Sequence, residues 1–301
     1  MSWPVRANLH RRELLCALGT LPLAAACRRS APKEAMKTND SLRESARLMP
    51  VLFAAHGAPI LLDDAGWMQE LSSWAQGLAK PAAILMVSAH WTERPTTLGA
   101  VRSVPLVYDF YGFPERYYQT RYPAPGAPEL ASRVRELLEQ SGVPVQSDAE
   151  RGLDHGAYVP LVAMYPDASV PVLQLSMPGL DPARLFALGR TLAPLRSEGV
   201  LIIGSGFLTH NMGYAFRRGT PAWAREFDAW ASERIRALDV DALLDFRARA
   251  PAADTALPTW EHYAPLLVAL GAAAHEGPRV EFPIQGFWMD RAFTRRSVQF
   301  G

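Results

Sequence analysis

Three short apolar runs, each delivering a histidine where the run ends, constrain this chain more than any other feature. They are "ILMVSAHWTE" with His90, "MPVLFAAHGAP" with His56, and "GVLIIGSGFLTHN" with His210. A run of this length bounded by Pro or Gly suits a strand covered on both faces, as in a parallel sheet packed between helices. In open α/β sheets the ends of parallel strands border the crevice where ligands bind, so histidines at three such ends predict one shared site.

Strand-like and helix-like stretches alternate from about residue 49 onward. The pattern predicts an α/β fold: a single domain with a central, largely parallel or mixed sheet flanked by helices. Strands are expected near 50–55, 82–89, 170–176 and 199–204, with a last one at "RRSVQFG", where Val298 and Phe300 alternate with Gln299. Helices are expected near 65–79, 127–141, 182–197, 222–238 and 259–272. Between residues 102 and 128, "SVPLVYDFYGFPERYYQTRYPAPGAP" is dense in aromatics, Gly and Pro and reads as a long binding loop. "GSGFLTHN" lacks the third glycine of a dinucleotide fingerprint.

The N-terminus is of another kind. "HRRELL" resembles a twin-arginine export signal and "LAAAC" a lipobox with Cys27 as the lipid-bearing residue, although His10 and Ala24 depart from the usual forms. The expected organisation is a signal over 1–27, a tether over 28–48 and a catalytic domain over 49–301. The expectation is an exported bacterial protein, periplasmic or membrane-anchored, that meets the membrane only through a lipid on Cys27. Cys16 and Cys27 both fall in the signal, so the domain has no thiolate for a metal or a nucleophile, and any metal is held by histidine or carboxylate. With 31 basic against 30 acidic residues, no charge excess recruits nucleic acid. The expected partner is a small ligand.

Of the seven histidines, His10 lies in the signal and His275 in a polar loop. The other five are His56 in "AAHGAP", His90 in "VSAHW", His155 in "GLDHGAY", His210 in "FLTHNM" and His262 in "TWEHYAPL". A neutral imidazole binds divalent iron or zinc, and near neutral pH it also moves protons. Gly57 and Gly156, directly after His56 and His155, allow a tight turn and close approach. Thr259 is a candidate N-cap, which would put His262 in the first turn of a helix. Asp154 and Glu261, each beside a histidine, either orient or ligate, or merely cap.

In order and spacing, "HGAP", "SAHW", "YDFYGFP", "YPAPGAPELA", "LDHGAYVPL", "YPDASVPVLQLS", "SGFLTHN", "EHYAPLL" and "SVQFG" resemble the DODA-type extradiol dioxygenases of the class III, LigB-like superfamily over residues 49–301. The resemblance implies a metal on His56, His90 and His262, with Glu261 open as third ligand because other class III enzymes use a glutamate there. It further implies that His210 is a metal neighbour or acid/base group, and His155 an acid/base or substrate-binding group. Tyr108, Phe110, Phe113 and Tyr158 would contact the substrate. Tyr158 stands where Trp is common and Ala58 where Ser is common, changes that bear on substrate preference. The implied reaction opens a catecholic, DOPA-like ring with dioxygen on Fe(II), with Zn(II) as another occupant of the same ligands. The competing functions are a zinc hydrolase and a non-catalytic lipoprotein that binds metal or catechol.

Overall fold

The computed structural model describes residues 48–274 and 277–301. The signal expected over 1–27 and the tether expected over 28–48 lie, but for Leu48, outside the described residues, as do Cys27, His10 and His275. Eight strands form among them: β1 (Val51–Ala55), β2 (Ala83–Ser88), β3 (Thr96–Leu98), β4 (Val145–Ser147), β5 (Val172–Gln174), β6 (Val200–Gly206), β7 (Val280–Glu281) and β8 (Val298–Phe300). Six make one sheet in the order β5-β2-β6-β1-β8-β7, and β3 and β4 pair separately. The four strands from β5 to β1 are parallel, while β8 runs antiparallel to β1 and β7 antiparallel to β8. The sheet is therefore mixed, and the tail forms its expected strand with Val298 and Phe300 buried.

β1, β2 and β6 are buried along their whole length because both faces are covered. The longer helices are α1 (Ala65–Gln76), α2 (Pro128–Gln140), α3 (His155–Met164), α4 (Pro182–Leu192), α5 (Ala222–Arg236) and α6 (Ala264–Ala273). Side chains alternate across a strand. Leu52, Ala54, Ile84, Met86, Leu201 and Ile203 thus join one core with Trp67 and Leu71 of α1 and Leu161 of α3. Val51, Phe53, Leu85, Val87, Val200 and Ile202 join the other, with α2, α4, α5 and α6. No helix among the described residues is long and apolar enough to cross a membrane.

Three expectations need correction. The helix sought over 182–197 stops at Leu192 and continues as a 3-10 turn, because Pro194 removes a backbone donor. The helix sought over 259–272 begins at Ala264, with Pro265 in its first turn, so His262 precedes the helix instead of riding in it. The Thr259 hydroxyl lies 3.3 Å from the Glu261 carboxylate and caps nothing. Finally, α3 was unforeseen: nine of its ten residues are buried, so it has no polar face to mark a helical period, and Pro160 lies inside it.

Candidate metal centre

Register brings the first two histidines together. Ser205 of β6 pairs with Ala54 of β1 on one side and with Ser88 of β2 on the other, so His56 and His90 each lie two residues beyond one level of the sheet. Strands are spaced about 4.8 Å apart, which leaves roughly 10 Å between β1 and β2 across β6. The two imidazoles span that gap tip to tip, with Nε2 of His56 3.2 Å from Nε2 of His90.

The other three rings arrive from the helical layers. His155 opens α3, its ring centre 3.9 Å from that of His90 and 5.4 Å from that of His56. His262 is tied over the end of β6 by a hydrogen bond from Phe207 N–H to its carbonyl, and its ring lies 4.9 Å from His90 and 5.3 Å from His56. His210 stacks on His262 at 3.5 Å and 11°. All five candidates therefore converge. Donor atoms within 4.8 Å of one another form two groups, His56–His90–His155 and His210–Glu261–His262.

An oxygen stands behind most rings. The Ser205 hydroxyl donates its one hydrogen to the Gly156 carbonyl at 2.5 Å, so at 2.9 Å from His56 Nδ1 it can only accept. His56 is thereby the Nδ1–H tautomer, with its lone pair on Nε2. His155 Nδ1 lies 2.7 Å from Asp109 Oδ1, His90 Nδ1 3.4 Å from Asp109 Oδ2, and His262 Nδ1 3.0 Å from Glu261 Oε1. Carboxylates behind metal-binding histidines orient the ring and fix the tautomer in this manner. Gly57 takes a left-handed φ of +66°, and a Cβ on Gly156 would stand 2.4 Å from the Ser88 hydroxyl. The expectation for both glycines holds.

Burial keeps the rings neutral. It holds His56 and His262 well below the ordinary histidine value, reinforced by the neighbouring imidazoles. It brings His90 to about 4, aided by His155 and opposed by Asp154, Asp109 and Glu261, and it brings His210 to about 4 against the pull of Glu261. For Asp109, burial alone would raise the carboxyl, but the hydrogen bond and charge of His155 outweigh it and the value falls to about 2. With His56 in the Nδ1–H form, its Nε2 at 3.2 Å from His90 Nε2 accepts either a hydrogen bond from a neutral His90 or, with both lone pairs turned inward, a shared cation. An all-nitrogen, neutral donor set of this kind fits Fe(II) or Zn(II).

Among the aromatics, Phe110 is buried with its ring 5.8 Å from that of His155, and Phe113 lies one ring further out, 5.4 Å from Phe110. Tyr108 donates to the Thr120 carbonyl and meets Tyr158 at 6.2 Å. Tyr158 is fully buried in the layer behind, and its hydroxyl has no partner among the described residues.

Asp154 does not orient His155. It caps α3 through Ala157 N–H and takes Arg151 and Gln174 on its other oxygen. Glu261, in contrast, does back its neighbour His262. Sequence reasoning missed Asp109 and Ser205. Asp109 carried one signal, being the lone carboxylate within "YDFYGFP"; Ser205 carried none beyond its place at a strand end.

Residues 52–295 match the family model described as the catalytic LigB subunit of aromatic ring-opening dioxygenase. The chain is 42% identical to a 4,5-DOPA dioxygenase extradiol of Beta vulgaris over 88% of this chain and 99% of the relative. It is 37% identical to the Escherichia coli K12 protein of the same description over 87% and 98%. The crystal structure of an uncharacterized Escherichia coli K12 protein superposes with a TM-score of 0.71 at 35% identity, covering 84% of this chain and all of that one. With these matches running across both the sheet and the five histidines, the chain belongs to the LigB family of aromatic ring-opening dioxygenases.

Proposed function

We propose that the ring opened by this metal-dependent extradiol dioxygenase is that of a DOPA-like catechol, with Fe(II) as the working metal. The observation that carries the reading is the Nε2-to-Nε2 approach of His56 and His90 at 3.2 Å inside a shell of neutral imidazoles. His56, His90 and His262 would hold the ion. His262, whose ring lies 4.9 Å from that of His90 and 5.3 Å from that of His56, is taken as the third ligand on the strength of the family resemblance, which leaves His155 for proton transfer. When bound, the ion supplies positive charge that acidifies a catechol hydroxyl and, as Fe(II), the redox partner for dioxygen; zinc fits the ligands but has no second oxidation state.

The remaining work falls to the chain. His155 Nε2 accepts the catechol proton while Asp109 stabilises the imidazolium, and the same nitrogen later returns the proton as the ring opens. Phe110 meets the His155 ring in a T-shaped contact at 5.8 Å and lends that side of the ring an apolar wall. His210, neutral and stacked on His262, braces that ring and offers a hydrogen bond to the pocket. The similarity to the beet and bacterial relatives supports the DOPA-like choice, and export with a lipid on Cys27 rests on "HRRELL" and "LAAAC".

Oxygen uptake with a panel of catechols, measured after anaerobic loading of the apo-protein with Fe(II) or with Zn(II), tests the reading. Stoichiometric uptake with a coloured ring-opened product is expected for iron alone. No uptake with any catechol, together with ester or amide hydrolysis by the zinc form, would replace it with the hydrolase.

A further inference from the structure

We infer that the chain carries a second binding site, apart from the metal centre, for a small organic carboxylate with an apolar body. A cavity of about 500 Å³, a volume ordinary for small-molecule sites, opens between the segment that follows His90, the end of α2 and one face of α4. None of the five site histidines lines it, nor do Ser205, Asp109 or Glu261. Arg184, Ala187, Leu188 and Thr191 are spaced by three and four residues, so a single face of α4 makes one wall. Val143 and Pro144, just past α2, make the wall opposite.

Charge selects the ligand. Arg94 and Arg184 both line the cavity, neither has a carboxylate partner among the described residues, and no acidic side chain lines it with them. Arg94 is held in place for an anion. Its Nε donates to the Pro178 carbonyl at 2.7 Å, and its guanidinium approaches Gly179 so closely that a Cβ there would stand 2.4 Å from Nη2. Gly179 has a φ of +124°, backbone that favours glycine, so the chain is shaped to admit the guanidinium. The remaining N–H groups match the two oxygens of a carboxylate. Thr96 adds a buried hydroxyl with no partner among the described residues, whereas the next hydroxyl, that of Thr97, donates to the Pro95 carbonyl and accepts from Gln146. A buried hydroxyl left unpaired is costly, and an oxygen brought by the ligand supplies the missing partner. The rest of the lining, with Leu188, Val143 and Pro178, is apolar, which favours an anion with a hydrocarbon body over a bare inorganic one.

Isothermal titration of the full, metal-free chain with hydrocinnamate, a phenyl ring on a short carboxylate chain, tests this; the probe has no catechol hydroxyls and there is no metal for its carboxylate to join. Saturable binding is expected, weakened about 10-fold in Arg94→Gln and about 10-fold in Arg184→Gln, the worth of one charge-assisted hydrogen bond each. Ala187→Glu, which sets a carboxylate against that of the probe, is expected to abolish it. All three positions are exposed, so the variants are expected to melt as the wild type does. Hydrocinnamyl alcohol, the same body without the charge, and inorganic phosphate, a charge without the body, are each expected to bind at least about 10-fold more weakly than hydrocinnamate. No binding by the wild type, binding that all three variants leave unchanged, or phosphate bound as tightly as hydrocinnamate would overturn the inference. The site does not depend on the catechol reading: absence of oxygen uptake would overturn that reaction and leave this site in place.

Discussion

At the scale of single residues, the five histidines divide by what stands behind them and how they are buried. His56 and His90 approach each other Nε2 to Nε2, and no thiolate lies within the described residues to replace either. His56→Ala and His90→Ala are expected to keep the fold, by circular dichroism, and to lose bound metal, by elemental analysis; full occupancy in either would remove it from the ligand set. His155 stands outside the proposed ligand set with Asp109 2.7 Å behind its Nδ1, so His155→Ala is expected to retain metal and lose about 10²- to 10⁴-fold in kcat, the usual loss for an acid/base group. His210→Ala is expected to retain metal too, since its ring stacks on His262 outside the His56–His90 pair. Metal loss equal to that of His56→Ala would move His210 among the ligands.

At the scale of elements, the site depends on β6 standing between β1 and β2, and on the segment before β8 being held down behind it. That segment is anchored by a buried ion pair. Arg296 donates to both oxygens of Asp228 on α5 at 2.8 and 2.6 Å, and the Thr294 hydroxyl donates to the same carboxylate at 2.7 Å. Breaking one partner of a buried pair leaves an uncompensated charge and costs about 3–5 kcal/mol. Asp228→Ala is accordingly expected to lower unfolding stability by an amount in that range in urea melts. A cost below about 1 kcal/mol would place this pair with the weak surface bridges.

At the scale of the whole molecule, the buried imidazoles couple folding to pH. His56, His90, His210 and His262 all have folded values below the unfolded histidine value, so between pH about 6.5 and about 4 the unfolded chain binds more protons than the folded one. Stability of the metal-free protein is then full above pH about 6.5 and falls as pH drops toward about 4. Thermal melts across this range check the sign, and a melting temperature that rose on acidification would contradict the burial of these rings as neutral groups. The proposed export is tested on the full chain: Cys27→Ser is expected to stay unlipidated and leave the membrane fraction, and a wild-type protein retained in the cytoplasm with an intact N-terminus would refute the export reading.

Much of this arrangement was legible in the linear chain because it depends on local rules. Short continuous apolar runs bounded by Pro and Gly identify β1, β2 and β6, and a histidine after each marks the edge where a ligand site forms. Even the tail strand was visible, from the alternation of Val298, Gln299 and Phe300. Other features are long-range and leave no local trace. α3 is buried on nearly every side, which erases the amphipathic period that would reveal it. Asp154 and His155 are adjacent in sequence yet belong to different networks, while Asp109, 46 residues from His155, is its true partner. Residue types and spacing determined that histidines would gather at the sheet's edge. Which nitrogen His56 and His155 turn inward was decided only by the tertiary structure, because a tautomer is set by the hydrogen-bond partner behind the ring, and Ser205 and Asp109 come from strand and loop segments that only folding brings to those rings.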